Sequence, residues 1–381
     1  MYYFNKLQCH TNQDFNKLRM KKIVTLLLLS TTLILSAQEY PEVTIPGSQV
    51  RKITSQIVSG QEYKLEIRLP SSYENSTKKY PVVYLMDSQW DFPLVTSIYG
   101  EQYYDGFIPE IILVGVTWGG INPNPDILRT RDYTPTNDGR NIETAGADKF
   151  LDFMKMELFP FIESNYRAKS DNRILMGCSL GGLFTLYSLF THSDMFTGYV
   201  AASPAVGWDN GILYNDEKTF SEKQLAKPVR VYMTVGNVEN GKSYYETFAN
   251  KMKSSKYKNV QLQSKVLENT GHSGTKSETY ARGLQYVFKR NELKLNTKTL
   301  NKYVGQYQFE NGNKLEIKNE NHQLNLYFSP NNSIPLYANS KSHFYATFAF
   351  FNIHFKEKNN TVEGLDLITY GNTQTLKKVS Q

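Results

Sequence analysis

One pentapeptide carries residue types that could perform nucleophilic catalysis. Gly177-Cys178-Ser179-Leu180-Gly181 has the pattern G-x-S-x-G, in which a serine at a sharp strand-to-helix turn presents its hydroxyl. The pattern also recurs by chance, but here a strand-like apolar run precedes it and a helical run follows it. We therefore predict that Ser179 is a nucleophile and that the backbone N–H of Leu180 contributes to an oxyanion hole.

A serine hydroxyl needs a base to accept its proton, and His272 is the candidate. It lies in Thr270-Gly271-His272-Ser273-Gly274, after the last predicted strand and before the closing helix. The other histidine between Ser179 and the C-terminal segments is His192, at the far end of the helix that begins at the nucleophile. A helix-capping role suits that position, because a histidine near a helix C-terminus interacts favourably with its dipole.

The acid that orients the base has three candidates. Glu239 lies in the loop after a predicted strand, between Ser179 and His272, in agreement with the chain order Ser, acid, His. Glu246 falls on the following predicted helix, and Asp209 lies in an earlier loop. We favour Glu239, although an exposed loop glutamate can also be a solvated surface group.

Strand-like and helical segments alternate from about residue 48 to residue 290. The strand-like segments are 63–69, 81–87, 110–116, 172–177, 197–204, 229–236 and 260–268, and the helical ones are 147–165, 180–192, 244–254 and 278–290. Such alternation predicts an α/β fold, with a mostly parallel sheet and helices on both faces. The continuous apolar runs 81–87 and 110–116 are typical of central strands.

The pattern changes after a polar stretch at 291–299. Eight short alternating segments follow, separated by turn residues: 303–309, 313–319, 322–328, 334–338, 343–348, 351–357, 362–368 and 375–379. This spacing predicts a small antiparallel barrel or sandwich over 296–381. Its three histidines, His322, His343 and His354, are far apart in sequence, so we interpret them as ordinary strand or loop residues and not as a metal site.

The N-terminus resembles a secretory leader. An apolar run (23–37) follows Lys21 and Lys22 and ends in small residues, which is typical of a cleaved signal peptide. The alternative is a membrane anchor, but 15 residues are fewer than the ~20 that span hydrocarbon. We therefore predict a leader at 1–37, with Met20 a candidate true start, and a first domain at 38–290. The protein is expected to be secreted or periplasmic.

Removing the leader changes the charge and the cysteine count. The 381-residue chain has a formal charge of +7, but the leader holds five of the 43 basic side chains and one of the 36 acidic ones, so the remainder carries +3. This gives no reason to expect nucleic-acid binding. Cys9 leaves as well, and Cys178 alone cannot form an internal disulfide. Neither zinc-type spacing nor a glycine-rich phosphate loop is present, so we expect no metal and no cofactor.

Over about residues 48–290, the chain resembles the esterase family of the α/β-hydrolases. That family includes esterase D-like enzymes, feruloyl and acetylxylan esterases, mycolyltransferases and enterobactin esterases. The motifs that carry the resemblance are YPVVYLMDSQWDF (80–92), RTRDYTP (129–135), GCSLGGLFTLYSLFTHSDMF (177–196) and SPAVGWDNG (203–211), and the last three look like the siderophore-esterase branch. The C-terminal segment resembles a lipocalin-like β module.

The resemblance implies roles for particular residues. It makes Ser179 the nucleophile, His272 the base and Glu239 the acid, and it places the oxyanion between the N–H groups of Leu180 and Gln89. The family often has glycine where this chain has Ser88.

Aromatic and basic residues near predicted strand ends could bind a substrate, because ligands bind at the carboxyl ends of strands in open α/β sheets. They are Trp90, Trp118, Trp208, Tyr133, Arg129 and Arg131. Each aromatic side chain could instead pack as loop core, and each arginine could pair with Asp126 or Asp132.

Together these observations predict a serine ester hydrolase that forms an acyl-enzyme. Its expected partner is a small-molecule or glycan-linked ester, and the branch resemblance favours a siderophore ester. A feruloyl or acetyl-xylan ester is the alternative. An acyltransferase would use the same residues, and a non-catalytic binding protein on a hydrolase scaffold would not need them.

Overall fold

The structure is a computed structural model that describes residues 17, 19–22, 43–139, 144–290, 292–347, 351–369 and 372–380. The predicted leader lies almost entirely outside these residues, apart from 17 and 19–22. In the ranges described, no helix has both the length and the apolar character needed to cross a membrane.

An eight-stranded sheet forms the centre of the first domain. Its strands are β1 (Ser48–Thr54), β2 (Glu62–Arg68), β3 (Tyr80–Leu85), β4 (Ile112–Trp118), β5 (Ala168–Cys178), β6 (Gly198–Ala202), β7 (Gln224–Gly236) and β8 (Lys258–Leu267). Their order is β1-β2-β4-β3-β5-β6-β7-β8. Strands β3 to β8 run parallel, whereas β1 and β2 are antiparallel to their neighbours.

Burial along the strands follows the sequence pattern. Every residue of β3 and of β4 is buried, as expected for β-branched runs covered on both faces. In β2, Tyr63, Leu65 and Ile67 are fully buried while their neighbours are partly exposed, which is the period-2 pattern of a strand with one face on the core. The prediction of a mostly parallel sheet is confirmed.

Helices connect the parallel strands. They are α1 (Ser88–Tyr104), α2 (Pro125–Tyr133), α3 (Ala147–Phe153), α4 (Phe159–Asn165), α5 (Leu180–Thr191), α6 (Leu213–Ser221), α7 (Lys242–Ser254) and α8 (Thr275–Val287), with a further short helix α9 (Thr297–Asn301) before the barrel. Helix α1 packs against α8, and α5 packs against both α2 and α6.

The predicted helix at 147–165 is interrupted. Between α3 and α4, residues Met154–Leu158 form a π-helical turn. The turn lies just before Pro160, which has no N–H to continue the α-helical hydrogen bonds. In the wider turn, the Phe159 N–H donates to the Met154 carbonyl, five residues earlier.

The C-terminal part is a closed antiparallel barrel. Its strands are β9 (Gly305–Gln308), β10 (Lys314–Glu320), β11 (Gln323–Ser329), β12 (Asn332–Ala338), β13 (His343–Tyr345), β14 (Asn352–Lys358), β15 (Thr361–Thr369) and β16 (Asn372–Ser380). Strand β9 pairs with both β10 and β16, which closes the ring. The structure therefore selects a barrel from the two predicted alternatives. Its interior is filled by apolar side chains such as Tyr307, Ile317 and Leu365.

Two of the barrel histidines are neighbours in space despite their distance in sequence. His343 and His354 face each other across β13 and β14, and their rings stack with centroids 4.0 Å apart. His322 instead contacts Thr297. Within the described ranges, no group of three or more metal-ligating side chains is present.

Candidate active site

The turn between β5 and α5 holds Ser179 in a strained conformation. Its φ is 59° and its ψ is −117°, a combination that non-glycine residues adopt rarely and mostly at functional sites. Glycines make the turn possible, because a Cβ on Gly177 would lie 2.7 Å from backbone atoms of Gly181. The serine N–H donates to Ala202 at the end of the neighbouring strand β6. The strand and helix therefore hold Ser179 at the tip of a tight turn.

The base and the acid candidates meet directly. His272 Nδ1 lies 2.6 Å from Glu239 Oε2. With a carboxylate at Nδ1, that nitrogen carries the hydrogen and Nε2 is left as the proton acceptor. The imidazole side chain is half exposed and the carboxylate is 9% exposed. Ser179, Glu239 and His272 each follow the carboxyl end of a parallel strand, namely β5, β7 and β8.

Glu239 is held by donors on its other oxygen. Its Oε1 accepts hydrogen bonds from Ser203 Oγ and from Gly236 N–H, both at 2.6 Å. Burial raises the pKa of this carboxyl, but hydrogen bonds from Ser203, His272 and Gly236 outweigh it and keep the pKa below its ordinary value. The carboxylate is therefore charged at neutral pH and fixed in orientation against the imidazole.

Ser203 is a site residue that sequence reasoning missed. It follows β6 with a φ of 40°, and its hydroxyl contacts both Glu239 and Thr275 Oγ1. Its position in the sequence could have indicated this role, because Ser203 directly follows β6, the neighbour of the strand β7 that precedes Glu239.

The two other candidate acids have different surroundings. Glu246 lies on α7 and pairs with Lys242 one turn earlier, at 2.8 Å. Asp209 lies in a 3-10 turn (Trp208–Asn210) and has a φ of 44°. The carboxylate that contacts His272 is Glu239, so the geometry favours it over both.

Both predicted oxyanion donors lie in the first turn of a helix. Leu180 is the first residue of α5, and Gln89 is the second residue of α1, which follows Asp87 in a left-handed conformation. First-turn N–H groups have no partner within their own helix, so they are available to an anion. Ser88, where the family often has glycine, is fully buried. The absence of a side chain on Gly115 makes room for it, because a Cβ on Gly115 would lie only 2.5 Å from the Ser88 Cβ.

An ion pair fixes the start of α1. Arg129 donates to both oxygens of Asp87, at 3.0 and 2.8 Å, and the carboxylate is 2% exposed. The same guanidinium lies over the Trp90 ring, 5.7 Å from its centroid. Arg129 therefore pairs with a residue that was not among its predicted partners, and it positions Trp90, whose side chain is half exposed.

Trp118 and Arg131, predicted as substrate-binding residues, lie in a buried network. Trp118 is 4% exposed and donates its Nε1–H to Asp132 Oδ2 at 2.7 Å. Arg131 donates its Nε–H to Asp132 Oδ1 at 2.6 Å, and Tyr63 completes the cluster through its hydroxyl. Trp118 therefore packs in the core and Arg131 pairs with Asp132, which were the alternatives to substrate binding for these two residues. We do not place either residue on the substrate surface.

Trp208 and Tyr133 are also mostly enclosed. Trp208 is 8% exposed, and its Nε1–H donates to the Thr136 carbonyl at 3.2 Å. Tyr133 is fully buried, and its hydroxyl accepts from the Asp87 N–H. Trp90 is therefore the predicted aromatic residue with the most surface to offer a ligand.

A cavity of about 470 Å³ adjoins the acid and base. Its lining includes His272, Glu239, Ser203, Val238 and Tyr245. The size is within the range of small-molecule sites, which are usually a few hundred Å³ and mostly apolar with a few polar groups.

The mostly parallel sheet, with a strained serine at the turn after β5, is an α/β-hydrolase fold. Residues 55–312 match the model of the family described as "Putative esterase", and the chain belongs to that family.

Individual relatives agree with this assignment. The chain is 32% identical over 231 residues to the ferri-bacillibactin esterase BesA of Bacillus subtilis, covering 54% of this chain and 78% of that protein. It is 27% identical to a siderophore triacetylfusarinine C esterase of Aspergillus fumigatus, covering 43% of this chain and 58% of that protein. The crystal structure of an IroE-like serine hydrolase from Shewanella oneidensis superposes with a TM-score of 0.57 at 27% identity, covering 64% of this chain and 80% of that one.

Proposed function

We propose that the protein is a serine carboxylesterase in which Ser179, His272 and Glu239 act as nucleophile, base and acid. The observation that carries the proposal is the 2.6 Å contact between His272 Nδ1 and Glu239 Oε2, on the same sheet edge as the strained Ser179. An orienting carboxylate with this contact stabilises the imidazolium that forms when the serine is deprotonated.

The reaction would proceed in two halves. His272 Nε2 takes the Ser179 proton as the hydroxyl oxygen attacks the ester carbonyl, and the developing oxyanion accepts hydrogen bonds from the Leu180 and Gln89 N–H groups. The imidazolium then gives its proton to the alcohol that leaves. Water, deprotonated by the same imidazole, attacks the acyl-enzyme and releases the acid and the free serine.

We propose a siderophore ester as the substrate. Two relatives from different organisms are named as a ferri-bacillibactin esterase and a siderophore triacetylfusarinine C esterase. The exposed Trp90 ring beside the Arg129 guanidinium suits an aromatic ligand at the site. We further propose that the signal peptide predicted near 20–37, within the leader at 1–37, directs the protein to the periplasm or the medium.

Parallel assays of the purified protein test the substrate. A catecholate trilactone should be hydrolysed with a kcat/KM at least about tenfold above that of a feruloylated oligosaccharide or of acetylated xylan, a discrimination of about 1.4 kcal/mol. Product analysis should show free acid and no ester transferred to an added alcohol. A preference for either glycan ester would replace the siderophore proposal, and the Ser179→Ala variant serves as the control for background hydrolysis.

A further inference from the structure

A second cavity, of about 440 Å³, lies between the hydrolase sheet and the barrel. The hydrolase side contributes residues from β7, β8 and α8, and the barrel side contributes residues from β12 and β13. Helix α8 begins three residues after His272, and Tyr286, near its other end, lines the cavity. Tyr286 lies eleven positions after Thr275, an axial rise of about 16.5 Å at 1.5 Å per residue. The two cavities share no lining residue, so this cavity is distinct from the one beside the acid and base.

Four tyrosines form the aromatic walls of this interdomain cavity. They are Tyr232, Tyr286, Tyr337 and Tyr345, and Phe107 also lines the cavity. On the hydrolase side, the rings of Tyr232 and Tyr286 are 5.8 Å apart, and on the barrel side those of Tyr337 and Tyr345 are 5.7 Å apart. Tyr232 and Tyr345 are buried, so the partly exposed rings of Tyr286 and Tyr337 are the ones that can contact a ligand ring.

The charges around the interdomain cavity are mostly positive. Lys265, Arg282, Lys289 and Arg290 line it together with a single carboxylate, that of Glu292. Arg290 is already engaged, since it lies over the Tyr345 ring at 4.6 Å and donates to Asn352 at 2.6 Å. Among the described residues, neither the Lys265 nor the Lys289 ammonium forms an ion pair. An anion entering the cavity would therefore meet uncompensated positive charge.

One polar group on the wall lacks a partner. The Tyr232 side chain is 1% exposed, and within the described part of the chain its hydroxyl makes no hydrogen bond. Buried hydroxyls without partners are uncommon in folded proteins. Because the hydroxyl oxygen is itself buried, it lies behind the cavity wall and is not part of the surface that meets a ligand.

We propose that the interdomain cavity binds a small aromatic carboxylate, with the ring between the tyrosines and the carboxylate facing the lysines. The proposal does not depend on the esterase activity. The combination of aromatic walls and uncompensated cations distinguishes this ligand class from a neutral aromatic compound or an aliphatic acid.

Calorimetric titration of the whole protein tests the site, with benzoate as the probe. Cyclohexanecarboxylate, which keeps the charge without the aromatic ring, and benzyl alcohol, which keeps the ring without the charge, should each bind at least about fivefold more weakly. The Lys265→Met/Lys289→Met double variant should bind benzoate about three- to tenfold more weakly, because each partly exposed charge contributes modestly. Lys169→Met, an exposed lysine on β5, is the matched control and should bind within about twofold of wild type.

Three results would overturn the proposal. The first is an absence of saturable benzoate binding up to about 10 mM. The second is equal binding by cyclohexanecarboxylate or by the double variant. The third is loss of binding in His272→Ala, which would locate the benzoate in the catalytic site instead.

Discussion

A single methyl group added at Gly236 should disable the site without touching a reacting atom. Gly236 ends β7, and a Cβ there would lie 1.9 Å from the Thr270 carbonyl oxygen, against ordinary contacts of 3.4–4 Å. The loops carrying Glu239 and His272 would have to separate by about 1.5 Å to relieve the overlap, and displacements of about 1 Å can cost about a hundredfold in rate. The Gly236 N–H also donates a hydrogen bond to Glu239 Oε1. We therefore expect Gly236→Ala to lower kcat/KM on an activated ester by about a hundredfold.

The overlap should also affect stability. Overpacking typically costs about 1–3 kcal/mol, so the free energy of unfolding in urea should fall by that amount and the variant should be assayed below its melting temperature. Gly241→Ala is the matched control from the same loop, because a Cβ there has nothing within 4 Å. It should keep kcat/KM within about threefold of wild type. A folded Gly236→Ala enzyme with a similar kcat/KM would refute the argument that this contact sets the acid–base geometry.

Three further predictions concern buried groups. Replacing Glu239 with Gln should lower the free energy of unfolding by about 2 kcal/mol at pH 7. The pKa of the wild-type Glu239 carboxyl lies below 4.5, so in urea unfolding series this difference should vanish as the pH falls through that pKa. A difference that does not change with pH would contradict the assignment. Arg129→Met leaves the buried Asp87 carboxylate without its partner and should lower the free energy of unfolding by about 3 kcal/mol. Lys155→Met, which breaks an exposed ion pair, should change it by less than about 0.5 kcal/mol. Equal losses in the two variants would argue against a stabilising role for the buried pair. Burial raises the pKa of the Cys178 thiol to about 12, so iodoacetamide at pH 8 should alkylate it only in denaturant, and fast labelling of the native protein by peptide mass spectrometry would exclude a buried thiol.

Periodicity in the sequence was sufficient for most of the fold. The barrel strands were predicted because alternation is a local property, and the eight observed strands overlap the eight predicted segments. Helix α1 was not predicted, since Pro93 lies inside it and its apolar residues are not concentrated on one face. Helix α2 was missed as well, because it is short and largely polar. Local patterns therefore fail where tertiary packing decides the structure.

The candidate site divides in the same way. Ser179 and His272 could be chosen from a motif and a chain order, and Glu239 from its loop position. The Asp87–Arg129 pair and the burial of Trp118 against Asp132 depend on which segments meet in space. No spacing in the sequence encodes those meetings. Exposed and buried aromatic residues near strand ends have the same sequence pattern, so the sequence could not separate them. Among the three predicted tryptophans, only Trp90 is substantially exposed.

Covalent labelling tests the central claim most directly. The wild-type protein should be treated with a fluorophosphonate, and the modified peptide should be identified by mass spectrometry. The proposed mechanism predicts one adduct, on Ser179, that is absent in Ser179→Ala and at least about a hundredfold slower to form in His272→Ala, because the hydroxyl is a weak nucleophile without its base. Labelling of Ser179→Ala at the wild-type rate, or an adduct on another residue, would contradict the assignment of Ser179 as the nucleophile.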